Sequence, residues 1–160
     1  DILIPSEERS IQLNPMDFEE FLWANGNEKL MDFIRERYEA KCALGPIHDQ
    51  AMDYFRKYLV IGGMPQAAGR KLYFHSEYDK DDAKNRMEID FLIAKSKVGR
   101  RKNIIPIEVK SGKRYTTSSL DKFTNKFRTK VDQPVVLHPK DLKVADGVTY
   151  LPLYMTPLLG

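Results

Sequence analysis

EIDFLIAKSKVGRRKNIIPIEVKSGK, residues 88–113, contains two apolar stretches, each with charged residues at alternate positions. Side chains of an extended strand point alternately to opposite faces. Read this way, Ile89, Phe91 and Ile93 turn toward a core, and Glu88 and Asp90 turn away from it. In the second stretch Ile105, Ile107 and Val109 are apolar, while Glu108 and Lys110 share the other face. If the two strands pair antiparallel, their charged faces coincide.

That alternation has two readings. Outward-facing acids and a lysine are what any half-exposed hairpin shows, and cross-strand Glu–Lys pairs stabilise such a face slightly. The other reading is chemical. Asp90 and Glu108 can hold one Mg²⁺, which takes hard oxygen ligands, often one or two carboxylates with waters and phosphate oxygens. Lys110 follows Glu108 by two residues, roughly 6–7 Å along the same face. There it can orient water or stabilise developing negative charge.

The flanking sequence supplies the other elements. Residues 15–25 (PMDFEEFLWAN) read as a short helix with Asp17 as N-cap and Glu20 completing a capping box. Phe18, Phe21 and Leu22 share a face, and Trp23 is expected to anchor packing. A second helix is expected over 28–41, with Leu30, Phe33, Ile34 and Tyr38 at helical spacing. A third is expected over 47–60, with Met52, Phe55 and Leu59 recurring. Strand patterns occupy 71–78, 87–94, 103–110, 133–137 and 148–154. One helix lies between the third and fourth strands, with Leu120, Phe123 and Phe127 on one face and a capping-box-like Ser118/Asp121. This order predicts an α+β (α/β) fold: a helical unit, then a three-strand meander, a helix and further strands. Residues 64–68 (MPQAA) open a helix that a strand replaces four residues later, so a break in the chain is expected near 66–70.

Composition bounds the function. The 160 residues amount to about one domain. They are 42% apolar and 31% charged, and no run of about 18 apolar residues suggests a membrane span. No signal peptide is recognisable, and a single cysteine, Cys42, excludes an internal disulfide and a cysteine-built zinc site. A reducing, cytoplasmic setting is the expectation. The charge is uneven: residues 1–68 carry 7 basic and 12 acidic residues, and residues 69–160 carry 19 and 11. The basic half suits a polyanion. Lys95, Lys97, Arg100, Arg101 and Lys102 crowd the turn between the motif strands. Lys113 and Arg114 follow the second strand, and Lys122, Lys126, Arg128 and Lys130 decorate the next helix. Such side chains contact phosphates without reading base sequence. His48, His75 and His138 lack metal-ligand spacing and read as structural or surface residues. The chain starts at Asp1 rather than Met, as a fragment would.

Asp90 followed by Glu108-Val109-Lys110 resembles the PD-(D/E)xK nuclease superfamily, with Ile89 where the motif has proline. The resemblance implies a restriction-endonuclease-like core. It implies Asp90, Glu108 and Lys110 as catalytic residues, with Asp90 and Glu108 binding Mg²⁺ or Mn²⁺. Many members add an acid from a preceding helix. That helix is not visible here, and Glu88 is the nearest substitute. LNPMDFEEFLWANG (13–26), IGGMPQA (61–67) and EIDFLI…IIPIEVKSGK…SSLDKF together resemble a bacterial and archaeal family of ATP-binding proteins. In that family an AAA-type ATPase domain precedes a C-terminal domain of unknown function resembling the nuclease fold. The resemblance implies an ATPase tail at 1–25, a helical linker unit at 26–68 and the nuclease-like domain at 69–160. It implies DNA as partner and an ATPase domain in cis. No G-x-x-x-x-G-K-[ST] occurs, so ATP belongs only to the full-length protein. The expected function is a nuclease-like domain cutting phosphodiesters with Mg²⁺. The alternative is a degenerate nuclease fold that binds DNA or docks proteins for the ATPase.

Overall fold

The computed structural model describes residues 16–61, 72–77, 87–94, 102–112 and 114–159. The expected break near 66–70 and the segment before Met16 lie outside them.

The first helix, α1 (Phe18–Ala24), starts where the sequence places it. The Asp17 carboxylate accepts from the Glu20 amide at 2.8 Å, and Glu20 accepts from the Asp17 amide at 2.9 Å. These bonds satisfy two of the amides that a helix start leaves unpaired. Helix α2 (Glu28–Ala40) ends at Lys41, which adopts the left-handed conformation at φ 54°. A 3₁₀ turn, Gly45–Ile47, leads into α3 (His48–Ile61). Phe18, Phe55 and Tyr58 pack as a ring cluster, with Phe18 edge-on to Phe55 at 5.3 Å. Two expectations need correction. The buried stripe of α3 runs through Met52, Phe55 and Tyr58, leaving Leu59 exposed. Trp23 is no packing anchor: it lies 51% exposed, on the face of α1 opposite the buried Phe18, Phe21 and Leu22.

The sheet has six strands, β1 (Leu72–Glu77), β2 (Met87–Ala94), β3 (Ile104–Val109), β4 (Val135–His138), β5 (Lys143–Ala145) and β6 (Val148–Pro152), in the order β1-β2-β3-β4-β6-β5. The first three form the expected antiparallel meander. Helix α4 (Ser118–Lys126) then crosses over, so that β4 pairs parallel to β3, and β6 parallel to β4. The α+β architecture therefore holds. Strand β5 is an addition, joined to β6 by a tight hairpin in which Asp146 (φ 52°) and Gly147 (φ 74°) both take positive φ. Two consecutive positive φ values are the mark of a type I′ turn, for which Asp-Gly is a preferred pair. The cap of α4 also differs from expectation. Thr117, not Ser118, is the N-cap, and its hydroxyl donates to the Asp121 carboxylate at 3.1 Å rather than receiving a helix amide.

Both faces of the sheet are covered. On one, Ile93, Ile105, Ile107, Val135, Leu137 and Leu151 share a core with α1, α2, α3 and the 3₁₀ helix Leu153–Leu158. On the other, α4 supplies Leu120 and Phe123 against Met87, Ile89, Val136 and Val148. Helical stretch and sheet thus share one apolar core.

Strand β2 does not keep the simple alternation of its sequence. Ile89 belongs to the α4 side and Ile93 to the opposite side, although four residues apart. The cause is a bulge. His75 pairs with Ile89 and Tyr73 with Leu92, so Asp90 and Phe91 together stand opposite one residue of β1. A bulge bends the strand, re-aims side chains, and is common beside functional sites.

Candidate metal and nucleic-acid site

Glu108 and Lys110 lie at the carboxyl end of β3. Alternation with Ile105 and Ile107 turns Glu108 toward α4, where it is buried beside Val136. The Lys110 ammonium donates to Glu108 Oε1 at 2.6 Å, the lysine side chain being 24% exposed and the glutamate 7%. Oε2 of Glu108 is buried and has no protein partner. An unpartnered buried carboxylate oxygen costs free energy unless something else engages it.

Asp90 lies at the bulge, one residue before the Phe91–Ile107 pair that ends the β2–β3 ladder, as Glu108 lies one residue after it. Its Oδ2 accepts from the Val109 amide at 2.7 Å, so its carboxylate reaches across to the motif strand. The structure therefore brings Asp90, Glu108 and Lys110 to one end of the β2–β3 ladder. Glu88 is exposed and sits between Met87 and Ile89, both packed toward α4, so alternation directs it away from Glu108. Among the described residues no group of three His, Cys, Asp or Glu side chains comes together as a metal cage. Two carboxylates still suit Mg²⁺, which keeps several of its waters. The orphaned Glu108 oxygen is the atom such an ion would engage.

Of the expected phosphate-binding residues, Lys95, Lys97, Arg100, Arg101 and Lys113 lie outside the described residues. Lys102, Arg114, Lys126, Arg128 and Lys130 are exposed, and Lys122 is half-buried on α4. Lys102 and Arg128 border a groove of about 370 Å³ along α4.

Sequence reasoning missed a polar network behind this end of the sheet. His138 is fully buried. Its Nε2 faces the Asp141 carbonyl at 3.2 Å, and its Nδ1 faces the Tyr115 hydroxyl at 2.7 Å. A carbonyl only accepts, so Nε2 carries the proton and Nδ1 accepts from Tyr115. His48 repeats the arrangement between the Pro139 carbonyl and the Tyr154 hydroxyl. The Asp141 carboxylate accepts the amides of Leu44, Gly45 and Leu142, tying the α2–α3 connection to the loop after β4.

Burial lowers the His138 pKa, and Lys140, Lys143 and His48 add to this against the raising effect of the Asp141 carbonyl. As pH falls below about 6.5 the unfolded chain takes up a proton that the folded ring resists, so stability declines with acidification. Urea unfolding is therefore expected to show a smaller loss of stability from about pH 7 to about pH 5 in His138→Gln than in the parent.

A family model matches residues 57–155: a domain of unknown function, DUF4143. The chain belongs to this family. The DUF4143 match begins within α3 and takes in Asp90, Glu108, Lys110 and the whole sheet. No curated protein and no solved structure matches the chain. Among the described residues no helix is long and apolar enough to cross a membrane.

Proposed function

We propose that this DUF4143 domain is nuclease-like, of the PD-(D/E)xK kind, hydrolysing phosphodiesters of DNA beside an ATPase domain of the same full-length protein in the cytoplasm. The observation that carries the reading is the buried Glu108 carboxylate, with one oxygen on Lys110 and the other without a protein partner, at the same end of the β2–β3 ladder as Asp90. The bulge at Asp90 supports this reading, since bulges recur beside functional sites, and so does the buried Glu108 oxygen, which is costly unless something engages it. Asp90 and Glu108 would hold Mg²⁺ or Mn²⁺. Such an ion, when bound, supplies an activated water and neutralises phosphate charge. Lys110 holds Glu108 in place and sets a cation where negative charge develops on the phosphate. The exposed Lys102, Arg114, Lys126 and Arg128 fit backbone contacts that carry no base preference. ATP would be bound only by the partner domain.

A second reading has its own support. The Asp90 carboxylate is already engaged by the Val109 amide, and no third acid joins the pair among the described residues. That arrangement suits a domain that has kept the fold and binds DNA or docks proteins without cutting.

Incubation with plasmid and single-stranded DNA, in Mg²⁺ or Mn²⁺ and with or without ATP, separates the two. Metal-dependent cleavage is expected, reduced about 100-fold or more in Lys110→Ala. Salt-sensitive DNA binding with no cleavage under any of these conditions would decide for the second reading.

A further inference from the structure

One further feature shares only Arg114 with the proposed DNA-contacting residues. An open cleft of about 610 Å³ lies where the segment after β3, the loop after β4 and strand β6 meet. Strands β3, β4 and β6 are mutually parallel, and open sheets of this kind place ligands beyond the carboxyl ends of such strands. The volume falls in the range of small-molecule sites.

Its lining is specific in chemistry. Arg114, Lys140 and Lys143 contribute three cations, and Asp121 is the one carboxylate among the described lining residues. That carboxylate is hydrogen-bonded by Thr117. No ion pair among the described residues engages Arg114, Lys140 or Lys143. Two tyrosines complete the wall, and each lies beneath a lysine ammonium. Lys140 Nζ is 5.6 Å from the Tyr115 ring centre, and Lys143 Nζ is 4.5 Å from that of Tyr150. Tyr115 is held in place, because its hydroxyl is fixed on buried His138. The nine-residue α4 starts at the cleft, and its N-cap Thr117 returns no side-chain bond to the helix amides. Those amides add positive potential for an anion.

Cations beside a helix start suit a phosphate. Flat aromatic faces beside them suit a nucleobase, which stacks irrespective of its identity. We propose that this cleft is a binding site for a nucleoside monophosphate unit, the phosphate held by Arg114, Lys143 and the start of α4, and the base stacked on Tyr150 or Tyr115. The unit is either a free nucleotide or the 5′-phosphorylated end of a strand. Binding here requires neither a metal nor cleavage at Glu108.

Calorimetric titration of the 160-residue chain in EDTA tests it, with thymidine 5′-monophosphate, thymidine and inorganic phosphate as probes. The monophosphate is expected to bind at least about tenfold more tightly than either fragment. Arg114→Gln with Lys143→Gln should weaken it about tenfold or more, and Tyr150→Leu about fivefold without altering phosphate binding. Arg114 and Lys143 are exposed, so the double variant keeps the fold, which circular dichroism checks. A 5′-phosphorylated oligothymidine that binds tighter than the mononucleotide assigns the cleft to strand ends; equal or weaker binding assigns it to free nucleotide. Equal affinity for the monophosphate and either fragment, or affinity unchanged in the variants, would overturn the proposal. Because EDTA removes divalent ions, these outcomes are independent of the cleavage assay on Lys110.

Discussion

Lys110→Met is expected to destabilise the protein by about 3 kcal/mol, whereas Glu108→Gln costs less than about 1 kcal/mol. The asymmetry comes from burial. The Glu108 side chain is 7% exposed, so removing its cation strands a carboxylate that already has one unpartnered oxygen. Lys110 is 24% exposed and can extend into water when Glu108 loses its charge. The pair also makes a prediction about metal. If Glu108 Oε2 engages a divalent ion, Mg²⁺ stabilises the folded chain by linkage, reaching about 2.7 kcal/mol at a hundred times its Kd. Thermal unfolding should then rise with Mg²⁺ in the parent, rise more in Lys110→Met, and stay flat in Glu108→Gln. Mg²⁺ that moves none of the three would mean that Glu108 and Lys110 are a structural ion pair. The degenerate reading would then stand.

How far the sequence reveals this arrangement differs from element to element. The meander, the crossover helix and the capping box of α1 follow from local patterns, and the ends of β2 agree with its apolar run. Other features are not local. In MEIDFLIA the alternation stops at Phe91, where a run of apolar residues begins, yet the bulge at Asp90 and Phe91 arises from pairing with β1, a partner that β2 alone does not define. Two covered faces are legible only in hindsight from the continuous apolar stretches of β3 and β4, which fit buried parallel strands better than a half-exposed hairpin. Strand β5 had a usable signal, the Asp146-Gly147 pair between two short strands. Asp90, Glu108 and Lys110 come from two neighbouring strands, so the β2–β3 pairing alone brings them to one end of the ladder. The cleft of Arg114, Lys140, Lys143 and Tyr150 draws on three separated segments, and no linear spacing marks it.

Tyr154→Ala is expected to cost about 4 kcal/mol, the scale of deleting a fully buried aromatic ring. Tyr154 is 0% exposed, in the 3₁₀ helix that packs between α3 and the end of the sheet. Its hydroxyl donates to His48 Nδ1 at 2.9 Å, and burial holds its pKa well above the usual tyrosine range, so the ring stays a neutral donor. The loss therefore combines a cavity with an unpaired buried histidine nitrogen. Tyr154→Phe isolates the second part and should cost about 1–2 kcal/mol. Because one core includes α1, α2, α3 and the inner residues of β3, β4 and β6, the destabilisation should appear everywhere at once. The fluorescence of Trp23, the sole tryptophan, reports on α1, and amide exchange in β4 reports on the sheet. Both should shift by the same free energy in Tyr154→Ala, as a single cooperative unit requires. If α1 loses structure at lower urea than β4 exchanges, the helices and the sheet unfold as two units in spite of their shared core.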